Sequence, residues 1–237
     1  MILFLLACIQ TATEVAVRTT IGSDRDEDPE GVVAGAEIDV YDGSTQEFSH
    51  ATADGDGAVT LELPFGGASF LILHADGHVP TSFSLAPFYE DSSLPDAVLW
   101  MRSESALTAL EDEFGPSCPN IETADGVLLE GEVRLFIDGQ DLDDLPLVTT
   151  ASVTAYDGDG VAYPGCYLDD AGKPSASATT TGQTGRFAVF GAEAGTLLLE
   201  LNFEVGKDIE EPTNGYYVVA EAGGTAPYYP ALVFSPL

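Results

Sequence analysis

The sequence predicts an all-β fold of two tandem Greek-key-type β-sandwiches joined by a short helix, and three observations carry that expectation. A strand-and-turn pattern occurs twice, each copy alternates apolar with polar residues, and one stretch between the copies has helical periodicity. The first copy runs Gly35-Ala36-Glu37-Ile38-Asp39-Val40-Tyr41-Asp42, then Thr52 to Pro64, then Phe70 to Pro80. The second is looser: Ala151 to Asp157, Thr181 to Phe190, then Gly195 to Leu201. Successive strand side chains point to opposite faces, so alternation gives each strand one buried and one wet face.

The elements follow in order. Thr11 to Ile21 alternates and reads as a first strand, with Val15, Val17 and Thr19 on one side. A polar loop from Gly22 to Gly31 precedes a strand over Val32 to Tyr41. Asp54-Gly55-Asp56-Gly57 is a hairpin turn signal, because glycine reaches positive φ without a Cβ penalty and Asp tolerates it. Ala97 to Met101, with Trp100, closes the first domain at residues 13–102. In the linker, 103–123, Ser103 can cap a helix with an apolar stripe of Ala106, Leu107, Leu110 and Phe114, and Gly115-Pro116 ends it. This helix is expected to set the angle between the sandwiches. The second domain, 124–237, opens with a strand over Gly131 to Asp138 and an acidic loop from Gly139 to Leu145. Asp157 to Ser177 reads as a long inserted loop that Cys166 could pin.

Composition narrows the function. Forty Asp and Glu against seven Lys and Arg leave a formal net charge of −33, which repels nucleic acid and anionic headgroups. No nucleic-acid partner is expected. The acids lie in turns and at outward strand positions, so a solvated surface is the simplest reading. Divalent cation binding is the sharper one, since Ca²⁺ takes several carboxylate oxygens from a flexible loop. The candidate calcium ligands are Asp54 and Asp56 in the first hairpin and Asp138, Asp141 and Asp143, with Asp144, in the acidic loop; Asp24, Asp26 and Asp28 form a third group. None has the twelve-residue calcium-loop spacing. No other cofactor is expected.

Met1 to Cys8 is an apolar run, far short of the roughly 20 residues that span a bilayer. Leu5-Leu6-Ala7-Cys8 resembles the lipobox of bacterial lipoproteins, which makes residues 1–12 a signal and anchor segment with Cys8 as the lipidated residue. It departs from an export signal in having no Lys or Arg before Arg18. A plain secreted chain and an intracellular chain whose Cys8 is buried in a first strand are the alternatives. If Cys8 carries lipid, Cys118 and Cys166 remain as a pair, either bridged or as two independent buried thiols.

The repeat resembles carboxypeptidase regulatory-like domains, the prealbumin-like or carbohydrate-binding-like β-sandwiches of bacterial envelope proteins. Gly35-Ala36, Thr52, Gly55, Gly57, Leu63-Pro64 and Gly77-His78-Val79-Pro80 carry the likeness in the first copy, with His78 where that family has an aromatic. Thr181, Gly185, Phe187 and Ala194-Gly195 carry it in the second, and Tyr167 to Pro174 is similar to a Tyr-containing insertion of some bacterial members. These are strand and turn motifs, which specify fold strongly and function weakly.

No enzyme constellation emerges. His74-Ala75-Asp76-Gly77-His78 has metal-like spacing but runs from strand into turn, so its imidazoles need not converge. No Gly-x-Ser-x-Gly elbow or phosphate loop is present. Two readings follow. The first is a non-enzymatic β-sandwich module for adhesion, scaffolding or surface display, in the cell envelope as an outer-membrane lipoprotein or secreted, touching the membrane only through its lipid. The second is a carbohydrate-binding protein, calcium-assisted, using Trp100, Tyr216, Tyr217, Tyr228 or Tyr229 against sugar rings. A polysaccharide or an envelope protein is the corresponding partner.

Overall fold

A computed structural model describes residues 13–23, 31–94, 99–114, 117–118, 126–136, 144–169, 171–203, 213–221 and 225–234; Phe136, 213–220 and 225–234 are described by backbone alone. The chain is all-β with one α-helix among the described residues.

In the first half, β1 (Glu14–Ser23) pairs antiparallel with β4 (Ala58–Pro64), placing Val17 beside Leu61. Along its other edge β1 takes two short parallel partners, β7 (Ser92–Ser93) and β8 (Leu99–Met101). The facing strands are β2 (Glu37–Asp42), β3 (Glu47–Thr52), β5 (Ser69–His74) and β6 (Thr81–Leu85), in the order β6-β5-β2-β3. The predicted alternation is met: Val15, Val17 and Ile21 point inward against Ile38, Val40, Leu71 and Leu73. Leu61, Leu63, Leu71 and Leu73 are fully enclosed, so each Leu→Ala change costs about 2–5 kcal/mol.

In the second half, β10 (Ser152–Tyr156), β11 (Ala162–Pro164), β15 (Gly195–Asn202) and β16 (Thr213–Ala220) form one sheet in the order β11-β10-β15-β16. The facing strands are β9 (Val127–Phe136), β12 (Cys166–Leu168), β13 (Pro174–Ser175), β14 (Arg186–Ala192) and β17 (Thr225–Phe234). Val153, Leu199 and Leu201 of the first of these sheets share a core with Leu129, Phe187 and Val189 of the second. The stretch 157–177 is no open loop, because it contains β11, β12 and β13. Its strands are only two or three residues long, too short for periodicity to register.

The two halves share one sheet. β17 runs parallel to β9 along most of its length and meets β6 at Thr225 and Thr81, giving the order β13-β12-β14-β9-β17-β6-β5-β2-β3. β16 also packs against β5 and β6. β9 begins at Val127, four residues before the predicted Gly131, because it is covered on both sides and so shows no alternation. Val127, Leu129 and Val133 face the second core, whereas Leu128 faces the helix cluster. Gly126 permits the start of this strand, since a Cβ there would lie 2.6 Å from the Gly191 Cα.

α1 (Glu104–Phe114) is capped as predicted, the Ala106 N–H donating to Ser103 Oγ at 3.1 Å. The Glu104 N–H donates to the Gly77 carbonyl of the first half. Toward its other end, Leu107, Leu110 and Phe114 pack with Leu128, Leu168, Ala188 and Phe190 on the outer face of the second sandwich. The Phe114 and Phe190 ring centroids are 5.6 Å apart. The helix therefore touches both halves.

Candidate functional site: the joint between the sandwiches

At the joint, Arg102 directly follows β8 and Glu130 lies on β9. Arg102 donates through Nε and Nη2 to Glu130 Oε1 at 3.0 and 2.6 Å. Both side chains are about nine-tenths enclosed, and the guanidinium sits 5.2 Å from the Trp100 ring centroid. Beside them Arg134 pairs with Glu132, also on β9, and donates from Nη1 to the Leu145 carbonyl at 2.8 Å. A chain with seven cations thus commits two of them to enclosed glutamates of one strand. Buried charges are tolerated only when paired and hydrogen-bonded, which both glutamates satisfy. Sequence reading missed this arrangement, although its signal was present: Glu130 interrupts the apolar run Val127-Leu128-Leu129, and Arg102 follows Leu99-Trp100-Met101.

Cys118 and Cys166 sit side by side at the end of the helix cluster, with Cα atoms 5.8 Å apart and both residues buried. That separation is within the reach of a disulfide. Cys8 lies outside the described residues.

A second polar group lies on the outer face of β2, β3 and β5. The His50 imidazole meets Asp39 Oδ1 through Nδ1 at 2.8 Å, and this hydrogen bond holds the imidazole above its ordinary pKa. His74 Nε2 lies 3.9 Å from Asp39 Oδ2 and 3.2 Å from Oε2 of Glu221, the residue that follows β16. His74 and His78 border an open groove of about 620 Å³ with Glu37 and Asp76. His78 is engaged by other partners: its Nδ1 is 3.1 Å from the Asp76 carbonyl and its Nε2 3.2 Å from Ser23 Oγ. A carbonyl only accepts, so Nδ1 carries a proton. No three of His, Cys, Asp and Glu converge on a metal position among the described residues.

Four further aspartates are engaged in local turns. Asp42, Asp54, Asp157 and Asp169 each begin a five-residue turn in which Oδ1 accepts the N–H groups two and four residues on. The fourth residue has positive φ in all four: Thr45, Gly57, Gly160 and Gly172. Asp54, a candidate calcium ligand, thus gives one carboxylate oxygen to its own turn at 2.9 Å. Hydrogen bonding lowers two of these carboxyls below the ordinary range: that of Asp42 chiefly through Ser44, and that of Asp157 chiefly through the Val161 N–H. Asp56 is exposed in the same hairpin as Asp54, and Asp138, Asp141 and Asp143 lie outside the described residues.

Among the proposed aromatic ligand residues, Trp100 is 6% exposed, leaving no open ring face. Tyr216 and Tyr217 fall on β16, and Tyr228 and Tyr229 on β17, where only the backbone is described.

No family model matches the chain, and no curated protein matches it. Solved structures similar to it include the Bacillus anthracis TIE protein, at 13% identity and TM-score 0.32, covering 94% of this chain and 34% of that one. The chain thus spans about a third of that protein's length. A shaft pilin of Lactobacillus rhamnosus GG aligns at 10% identity and TM-score 0.30, over 91% of this chain and 96% of its own. A minor pilin of Streptococcus agalactiae aligns at 11% identity and TM-score 0.30, over 94% and 97%. The all-β architecture is established by the strands themselves; the carboxypeptidase regulatory-like assignment remains a resemblance of motifs.

Proposed function

We propose that this chain is a non-enzymatic structural module of the cell envelope or extracellular space, a stiff two-sandwich spacer that scaffolds or displays its neighbours. The observation that carries the reading is the joint: one sheet continues from β9 through β17 to β6, and the buried Arg102–Glu130 pair spans the same seam. Tandem domains on a free linker reorient, whereas shared strands and a desolvated ion pair resist reorientation. The acidic surface keeps such a spacer soluble and repels polyanions. In this reading Cys8 carries the lipid anchor, and Cys118 and Cys166 form a disulfide in an oxidising compartment. A polysaccharide or another envelope protein is the partner class.

Backbone ¹⁵N relaxation on the whole chain tests the stiffness. Both sandwiches should report one rotational correlation time. Independent tumbling of the halves would refute a rigid spacer.

A further inference from the structure

The joint has a second contact whose strength depends on protons. Glu221 follows β16 of the second sandwich, yet its carboxylate reaches His74 of β5 in the first. His74 also faces Asp39, and Asp39 in turn binds His50 across the β2–β3 pair. Two imidazoles and two carboxylates therefore alternate in a line, Glu221, His74, Asp39, His50, from one sandwich onto the other.

We propose that these four residues form a proton-operated clasp that tightens the joint as pH falls through the imidazole range. With neutral rings the line holds two negative charges and no positive ones. Protonation of both rings places a cation beside each carboxylate. The neighbouring charges are acidic. Glu37 is the cross-strand partner of His74, and Tyr41 and Glu47 flank Asp39 and His50. Asp76 and His78 lie beyond the end of β5, β6 carries no titratable residue, and Tyr216 and Tyr217 are the only ones on β16. No Lys or Arg occurs among these neighbours.

The sign at the joint follows from the geometry, since a proton on His74 puts a cation 3.2 Å from Glu221 Oε2 and 3.9 Å from Asp39 Oδ2. Within the first sandwich the Asp39 hydrogen bond raises the pKa of His50. Its stabilisation is fully present below the ordinary histidine value of about 6.5 and is lost as pH rises through the higher folded value. Protonation of the rings therefore closes the clasp on the acid side of the imidazole range, and loss of those protons loosens it.

This inference rests on the joint being stiff, and one experiment separates the two. Hydrogen exchange of the intact chain, followed by NMR at about pH 5.5 and pH 8 and corrected for intrinsic rates, reads protection at the Thr81 and Thr225 amides. Partly exposed ion pairs are modest, so protection should rise about two- to fivefold at the lower pH. His74→Gln and Glu221→Gln should each abolish that rise while leaving protection at pH 8 near wild type, and His78→Gln should preserve it. Equal protection at both pH values in the wild type, or an unchanged rise in His74→Gln, would overturn the clasp while leaving a stiff joint intact. Little protection at either pH would overturn both readings.

Discussion

Replacing Glu130 with alanine leaves the Arg102 guanidinium buried without its countercharge. Arg102 is 8% exposed at the side chain and would lose both charge-assisted hydrogen bonds. Removing one member of a buried pair costs about 3–5 kcal/mol, because the survivor keeps its desolvation penalty. The Trp100 ring remains beside the guanidinium and returns part of that through its quadrupole, which places the expected loss toward the lower end. At about 2–4 °C per kcal/mol for a chain of this size, Tm should fall by about 6–20 °C. Urea denaturation gives ΔΔG, and the same titration tests the joint, since a weakened seam should split one cooperative transition into two. The double variant Arg102→Met with Glu130→Leu restores an uncharged, filled seam and should return to near wild-type stability. A Glu130→Ala cost under about 1 kcal/mol, or a double variant as unstable as the sum of the singles, would refute a desolvated structural pair.

Three further outcomes are expected. Cys118→Ser in oxidised protein should lower stability by about 4 kcal/mol, the chain-entropy value for a 48-residue separation, and intact mass before and after reduction checks that the bridge was formed. Thr45→Gly should raise stability by about 0.5–1 kcal/mol, because φ is +61° at a position where glycine carries little strain; thermal melts read the gain, and a loss would show that the Thr45 side chain is needed. Asp157→Asn removes a carboxyl whose pKa is lowered by its turn, so its contribution is present above the ordinary value of 3.8 and lost as pH falls through the folded value. The stability gap between wild type and variant should close on acidification, and a constant gap from neutral pH to about pH 2 would contradict the turn's dependence on charge.

Local physics made much of the fold legible. Alternation at Val15, Val17 and Ile21 and at Ile38 and Val40 marks half-buried strands, and these positions do line the first core. Asp54 to Gly57 turns where the residues demand it, and Ser103 caps α1 through an interaction only three residues long. The stretch from Asp157 to Ser177 was obscure because strands of two or three residues leave no period. The candidate site was less legible still. Cys118 and Cys166 could be paired by arithmetic, but neither their neighbourhood nor the company of Phe114 and Phe190 is written in the chain order.

The sequence by itself determined the all-β class, the alternation that lines the first core and the turn at Asp54 to Gly57, since each depends on residues close in the chain. Tertiary structure alone decided that the two sandwiches share a sheet. β17 must travel back from the end of the chain to lie between β9 and β6, a placement set by backbone pairing that side-chain alternation does not encode. It likewise decided which charged groups meet: Arg102 finds Glu130 across 28 residues, and His74 finds Glu221 only because β16 folds back over the first sandwich. Contacts of that range arise once packing has brought the strands together, and at the Arg102–Glu130 seam the exclusion of water is also what gives them their energy.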